Sequence, residues 1–320
     1  MAVAANTQET YDLTTVLEDL SEAFTSLTPT DTPAISLMGE RSADNSYFEW
    51  TETDLAAVDE SNRVAEGEGS PGNDAPTNDV RKGNYTQLSD KVVEISSRSQ
   101  AVKGAGNRQR MNRQVAFKMK ELKRDMAKML LNNVAASAGS SGTASQTAGL
   151  PAFLTSNVDR GSTGANGTTS GTGEAGYPNA AATDGTQRAI TETILKSVIA
   201  NCWDAGAEPS VVLCGSSVKQ TISTFTGNAT RYKKAEDQKL NAAIDVYISD
   251  FGELQIVPNR FQRSRDVFVV DPAHIKLAWL QKLNSSPLAK TGHSDRKLLA
   301  AEYGLEVSSQ KAHGIIADVS

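Results

Sequence analysis

Apolar residues along this chain recur in two periods, and the stretches that show neither period are long. The clearest signal is helical. In NRQRMNRQVAFKMKELKRDMAKMLLNN, Met111, Val115, Met119, Leu122, Met126 and Met129 step by three or four and form one apolar stripe. The spacing predicts a helix over residues 107–133. About twenty-five helical residues make a rod of about 38 Å, against a radius of gyration of roughly 20 Å for a compact chain of this length. Such a helix is a spine.

A second helix is predicted from about Arg188 to Asp204. Ile190, Ile194, Leu195, Val198, Ile199 and Cys202 share one of its faces, and Gly206 is placed to cap it. Ser216 is the expected cap of a short helix that turns Val218, Ile222 and Phe225 inward. SVVLC reads as a buried strand, and further strands are expected at DVYIS, ELQIVP, DVFVVD, HIKLAWL, YGLEVSS and HGIIADV. Nearer the start, SYFEWTETDL (46–55) alternates as a strand, and NYTQLSDKVVEIS (84–96) is expected to be its hairpin partner. Some thirty residues rich in acid, Gly, Pro and Asn lie between them, so the pair reads as a protruding arm that needs a surface to lie on. Residues 1–45 have a weak pattern broken by Thr, Pro and Asp; they are either a disordered tail or an arm ordered only against something else. Residues 137–187 are nearly all small and polar around GLPAFL, and read as a flexible, low-complexity connector. The texture as a whole is α+β.

Charge sharpens this outline. The 320 residues carry a net charge of −6, which argues against a general nucleic-acid-coating role. A hydrophobic content of 38% implies a modest core with much chain in arms and loops. Acidic residues gather in the loop of the arm, at Asp59, Glu60, Glu66, Glu68 and Asp74. Basic ones line the spine opposite its apolar stripe: Arg108, Arg110, Arg113, Lys118, Lys120, Lys123, Arg124 and Lys128. Arginines in a first helical turn oppose the helix dipole, so local stability did not select them. Either the face is simply solvated, or it receives an acidic partner, and the loop of another copy supplies one. Trp50, near the root of the arm, suits an apolar inter-subunit contact and core packing equally well.

No catalytic, cofactor or metal site emerges. GTGEAG (171–176) and GEGSPG (67–72) fit the dinucleotide fingerprint, but neither closes a strand and opens a helix, and the second is ringed by acids. Both read as flexible loops, the first a tether inside the connector. GSSVK has Lys219 where a nucleophile elbow needs glycine. His274, His293 and His313 are scattered without metal spacing, and Asp250 and Asp271 read as turn residues. Cys202 and Cys214 read as buried thiols of a reducing compartment. The start lacks a basic and apolar leader, and no run approaches eighteen apolar residues, so neither secretion nor a membrane is expected.

The order of parts resembles the major capsid (major head) protein of tailed bacteriophages, the Hong Kong 97-type fold. The stretches that carry it are TPAISLMGERSADNSYFEW, AGAEPSVVLCGSSVKQTIS, ISDFGELQIVPNR, VVDPAHIKLAWL, PLAKTGHSDRKLLAAEYGLEV and KAHGIIADV, from about residue 32 onward. The resemblance implies an N-terminal arm (1–45), an extended loop with flanking strands (46–100) and a peripheral domain (101–187) holding the spine helix and connector. An axial domain (188–290) and return strands of the peripheral domain (291–320) would follow. It further implies a non-enzymatic subunit that self-assembles into hexamers and pentamers of an icosahedral head, built in the host cytoplasm and residing in the virion. Its partners would be copies of itself, double-stranded DNA through weak non-specific contacts, and portal, scaffolding or cement proteins. The alternatives are an encapsulin-like nanocompartment shell and a soluble hydrolase or binding module.

Overall fold

The structure, a computed structural model, describes residues 28–63, 66–67, 69, 75–102, 110–225 and 246–320. The first elements are α1 (Pro33–Leu37), β1 (Gly39–Ser42), β2 (Tyr47–Glu52), β3 (Val80–Tyr85), β4 (Gln87–Ser96), α2 (Ser97–Ala101) and α3 (Arg110–Leu130). The small-residue region adds α4 (Leu150–Phe153), β5 (Val158–Asp159), β6 (Thr168–Thr169) and β7 (Pro178–Ala180). Then come α5 (Glu192–Asp204), β8 (Val211–Cys214), α6 (Ser216–Ser223), β9 (Val246–Ser249) and β10 (Gly252–Pro258). β11 (Val267–Val270), β12 (Ile275–Pro287), β13 (Ser294–Val307) and β14 (Gly314–Ile316) complete the order.

A six-stranded sheet, β5-β14-β11-β8-β10-β9, has β8 and β11 near its centre. Their residues VVLC and VFVV are buried throughout, because both faces of the sheet are covered. Period two divides them. Val212, Cys214, Val267 and Val269 join the core beneath α5 and α6, while Val211, Leu213, Phe268 and Val270 point into the other core. α5 starts at Thr191, whose hydroxyl accepts from the Ile194 N–H, and stops at Gly206, whose φ of +89° suits glycine. The Gly206 N–H donates to Trp203 O at 2.8 Å and the Ala207 N–H to Cys202 O at 3.0 Å, the paired bonds of a Schellman ending.

The second sheet, β1-β12-β13-β4, carries the spine. Leu299, Ala301, Tyr303, Leu305 and Val307 alternate inward along β13 and meet Leu122, Met126 and Leu130 of α3 in one core. Met111, Val115 and Met119 continue the stripe half-buried, so five of the six residues chosen from periodicity pack here, and at the helix end Leu130 is the buried residue where Met129 was expected. The N-terminal part of the expected helix, residues 107–109, lies outside the described residues, as do residues 1–27 of the expected arm.

Three expectations are corrected. The partner of β2 is β3, paired from Tyr47↔Tyr85 to Glu52↔Val80, whereas most of the 84–96 stretch forms β4 and pairs with β13. The short helix α6 is capped by Gly215, not Ser216, and makes no side-chain cap bond. The expected flexible connector is packed: Leu150, Pro151, Ala152, Phe153 and Leu154 are buried, and Asn133 holds Ala182 through both N–H···O bonds, at 2.6 and 3.0 Å. Small side chains are what this packing requires. A Cβ on Gly149 would lie 1.9 Å from the Asn132 carbonyl oxygen.

Candidate assembly interface

The root of the extended loop is the β2–β3 hairpin. Its inner face buries Phe48 and Trp50, with ring centroids 5.8 Å apart, and Trp50 lies 6.1 Å from Phe153. Trp50 is therefore a core residue in this chain, 9% exposed. Tyr47, Tyr85 and Tyr177 gather outside at centroid distances of 4.8, 6.1 and 5.1 Å.

Polar residues within β3 are buried because each has partners. Asn84 Nδ2 donates to Thr147 Oγ1 at 2.9 Å and to Leu305 O at 2.8 Å, while its Oδ1 accepts from the Ala148 N–H at 3.0 Å. Lys82 pairs with Glu52 and, at 2.8 Å, with Glu174. Glu174 belongs to the glycine-rich 171–176 stretch, and that stretch is no loose tether. Gly176 donates to Arg81 O at 2.8 Å and accepts from Gly83 N at 2.9 Å, fastening the turn along β3. The fingerprint there thus has a structural use. The local charge of Glu174 is occupied by Lys82, whose hydrogen bond helps hold the Glu174 carboxyl below its ordinary range against the opposing effect of burial.

Beyond this root the chain leaves the body of the protein. Thr53 donates to Asp79 at the neck, and Lys311 grips Asp54. Farther out, Leu55 is 91% and Val58 92% exposed, with Asp59, Glu60 and Glu66 also exposed. Glu68 and Asp74 lie outside the described residues.

The spine divides its cations between two surfaces. Arg110 and Arg113 line a groove of about 620 Å³ between α3 and β4, with Gln114 and Lys118 beside them and Val93 and Ile95 on the strand side. Arg110 donates to Ser99 Oγ at 2.8 Å, and Arg113 stands 5.7 Å from the Phe117 ring centroid. Lys118 pairs with Glu121 at 2.7 Å, and Arg124 donates to Pro29 O at 3.4 Å. Lys120 and Lys123 are exposed and make no ion pair among the described residues. Arg108 lies outside them. Among the described residues no ion pair joins the loop to the spine; the loop's first acid, Asp54, is held by Lys311.

Cys202 and Cys214 are buried and free, and burial pushes their thiols up to about 12 and about 11. Among the described residues no group of three or more His, Cys, Asp or Glu could hold a metal, and no helix is long and apolar enough to cross a membrane.

Comparison with known proteins gives this arrangement a context. The SU10 major capsid protein family matches residues 5–320. The major capsid protein of Escherichia phage Phieco32 is 37% identical over 110 residues, covering 34% of this chain and 31% of that protein. The chain thus spans under a third of that relative's length. The Cyanophage A-1(L) capsid asymmetric unit superposes with a TM-score of 0.65 at 11% identity, covering 97% of this chain and 98% of that one. The holo-SrpI encapsulin complex from Synechococcus elongatus PCC 7942 gives 0.56 at 11% identity, covering 95% and 93%. At such identities the likeness to these structures is one of fold.

Proposed function

This chain belongs to the SU10 major capsid protein family and has the Hong Kong 97-type fold, and from that premise we propose that it builds a phage head by packing against copies of itself. Its place is then the virion capsid. The observation that carries the reading is the loop from Thr53 to Asp79, which holds Leu55 and Val58 in solvent beside Asp59, Glu60 and Glu66. The spine offers Lys120 and Lys123 outward and a basic groove at Arg110, Arg113 and Lys118. The loop of one copy lies over the spine of the next. Exposed ion pairs contribute only about 0–1 kcal/mol each, so charge sets register. Apolar cover supplies affinity: burying a Leu or Val side chain is worth about 1.5–3 kcal/mol, and obligate contacts cover on the order of 2,000 Å² or more.

In this reading the six-stranded sheet with α5 and α6 forms the axial part, meeting its copies around hexamer and pentamer centres. The four-stranded sheet and α3 form the peripheral part. Assembly takes place in the host cytoplasm, and the packaged partner is double-stranded DNA, held weakly because the subunit is net acidic. Portal, scaffolding or cement proteins would join the same shell. An encapsulin-like shell would use the same fold, and the family match favours the phage head over it.

The test is size-exclusion chromatography of the purified chain followed by negative-stain imaging. Rings or closed shells are expected. A monodisperse monomer at high concentration would overturn the reading.

A further inference from the structure

Away from the loop and spine, a charge cluster built around the buried Asp266 and Asp318 joins four stretches of chain. Asp159 ends β5 and Arg160 follows it; Asp184 and Arg188 precede α5; Arg263, Arg265 and Asp266 precede β11; Asp318 follows β14. Arg265 Nη2 donates to Asp318 Oδ1 and to Gly185 O, each at 2.6 Å, and its Nη1 to Asp184 Oδ2 at 3.1 Å. Arg263 also pairs with Asp184, Arg188 with Asp159, and Arg160 Nε with Asn166 Oδ1 at 2.8 Å. Asp318 is fully buried, and its Oδ2 accepts from the Gly161 N–H at 3.1 Å. Backbone bonds complete the seat: Arg188 N to Asp318 O at 2.8 Å, Val319 N to Arg265 O and Ser320 N to Arg188 O, both at 3.0 Å.

Asp266 is the carboxylate left short, although Arg160 Nη2, Arg188 Nε and Arg265 Nε also lack hydrogen-bond partners. Its side chain is only 2% exposed, Oδ2 has no hydrogen-bond partner, and Arg263 Nη1 at 3.3 Å gives an ion-pair contact only. Gln262, four residues before, donates through Nε2 to Asp266 O at 2.9 Å, yet its Oε1 is likewise buried and without a donor. Two acceptors lacking donors in one buried turn are what a single added proton would relieve.

We propose that Asp266 carries this proton, and that its gain or loss tightens or loosens the seat holding residues 318–320 against the 158–188 segment. Protonated, Oδ2 becomes a donor inside the turn. Ionised, a fourth carboxylate enters the cluster at its buried end with one oxygen unbonded, and the 262–266 turn strains against its neighbours. The surrounding groups place the change near neutrality. Burial raises the Asp266 carboxyl to about 6; Arg263 opposes the rise, Asp184 adds to it, Arg160 opposes it and Asp318 adds to it. Arg265 meets Asp184 and Asp318 beside it, and Lys128 of α3 reaches Gln262 O at 3.4 Å. The hydrogen bond from Arg263 is the main cause that holds Asp184 below its ordinary range, so Asp184 stays ionised while Asp266 titrates. This latch would operate whether or not copies associate.

Amide hydrogen exchange on the full chain tests it, at about pH 5 and about pH 7.5, with rates corrected for the intrinsic effect of pH. Peptides covering 158–166, 184–190 and 314–320 are expected to exchange at least about fivefold more slowly in acid, a difference that Asp266→Asn abolishes. Equal protection at both values, or slower exchange in acid that survives in Asp266→Asn, would overturn the latch. Infrared difference spectra of the wild-type chain give a check that needs no variant. A buried carboxylic-acid carbonyl band at about pH 5 that vanishes by about pH 7.5 supports the proton, and its absence overturns it.

Discussion

Asn84 Nδ2 donates to the Leu305 carbonyl oxygen at 2.8 Å, joining β3 to β13 across 221 residues of sequence. The same side chain serves Thr147 and Ala148, so one carboxamide ties the root of the loop to both the small-residue segment and the spine-bearing sheet. Asn84→Ala would leave a buried N–H and a carbonyl unpaired. A loss of about 2–4 kcal/mol in denaturant unfolding is expected, with Asn84→Asp no better, because a carboxylate cannot donate to Leu305 O.

Leu55 and Val58 stand almost wholly in solvent, with no described residue of their own chain covering them. Leu55→Ser with Val58→Ser should therefore leave unfolding free energy within about 0.5 kcal/mol of wild type while particle yield falls sharply. Equal losses in both measurements would mean that the loop serves folding instead of association.

Charge on the spine is tested by exchange. Lys120→Glu with Lys123→Glu should lower particle yield, as should Asp59→Lys with Glu60→Lys, each with unchanged helical content by circular dichroism. Mixing the two variants should restore part of the yield, and added salt should weaken wild-type assembly. No recovery on mixing would separate these two surfaces.

His313 is buried and held neutral: Nδ1 accepts from the Asp271 N–H at 3.2 Å, and Nε2 faces His274 O at 3.4 Å. Burial lowers its pKa from the ordinary 6.5 to about 4. A base with a depressed pKa contributes stability above its unfolded value, and that stability is lost as pH falls from 6.5 towards about 4. Asp266 has the opposite sign. Its raised pKa favours the folded chain in acid, and that advantage is lost as pH rises from 3.8 through about 6. The two nearly cancel, so wild-type stability should vary little between about pH 4.5 and about pH 6.5. In Asp266→Asn the histidine acts alone, and stability should fall by on the order of 2–3 kcal/mol as pH is lowered through that window. Thermal unfolding at several pH values checks this.

The thiols give a simple control. Cys202 and Cys214 should resist a thiol reagent in the folded chain at mildly alkaline pH and react on denaturation, since burial keeps both protonated.

Much of the fold was legible in the residues wherever burial followed a period. Leu122 and Met126 on α3, the VVLC and VFVV strands and the Gly206 ending were all readable, because each obeys a local rule. β3 was not, because Lys82 and Asn84 are buried polar residues whose burial depends on Glu52, Glu174, Thr147 and Leu305, partners mostly far away in sequence. The packed region from 131 to 187 escaped for a related reason. Its order rests on backbone approaches too close for a side chain, as at Gly149, and on bonds such as Gly149 N to Val134 O and Ala182 N to Asn133 Oδ1, and composition alone reads such a stretch as loose. Trp50 illustrates a third limit: an aromatic residue suits a core and a contact surface equally well until Phe153 is seen beside it.

The pairing of β1 with β12, Gly39 against Lys276, has a consequence for biosynthesis, as does that of β14 with β5, Ile315 against Val158. The four-stranded sheet cannot close until translation has passed residue 307, nor the six-stranded one until it has passed residue 316, so a prematurely terminated polypeptide has no finished body from which to extend its loop. Quality control would thus be built into the wiring of the chain: only completely synthesised molecules become competent to join their neighbours.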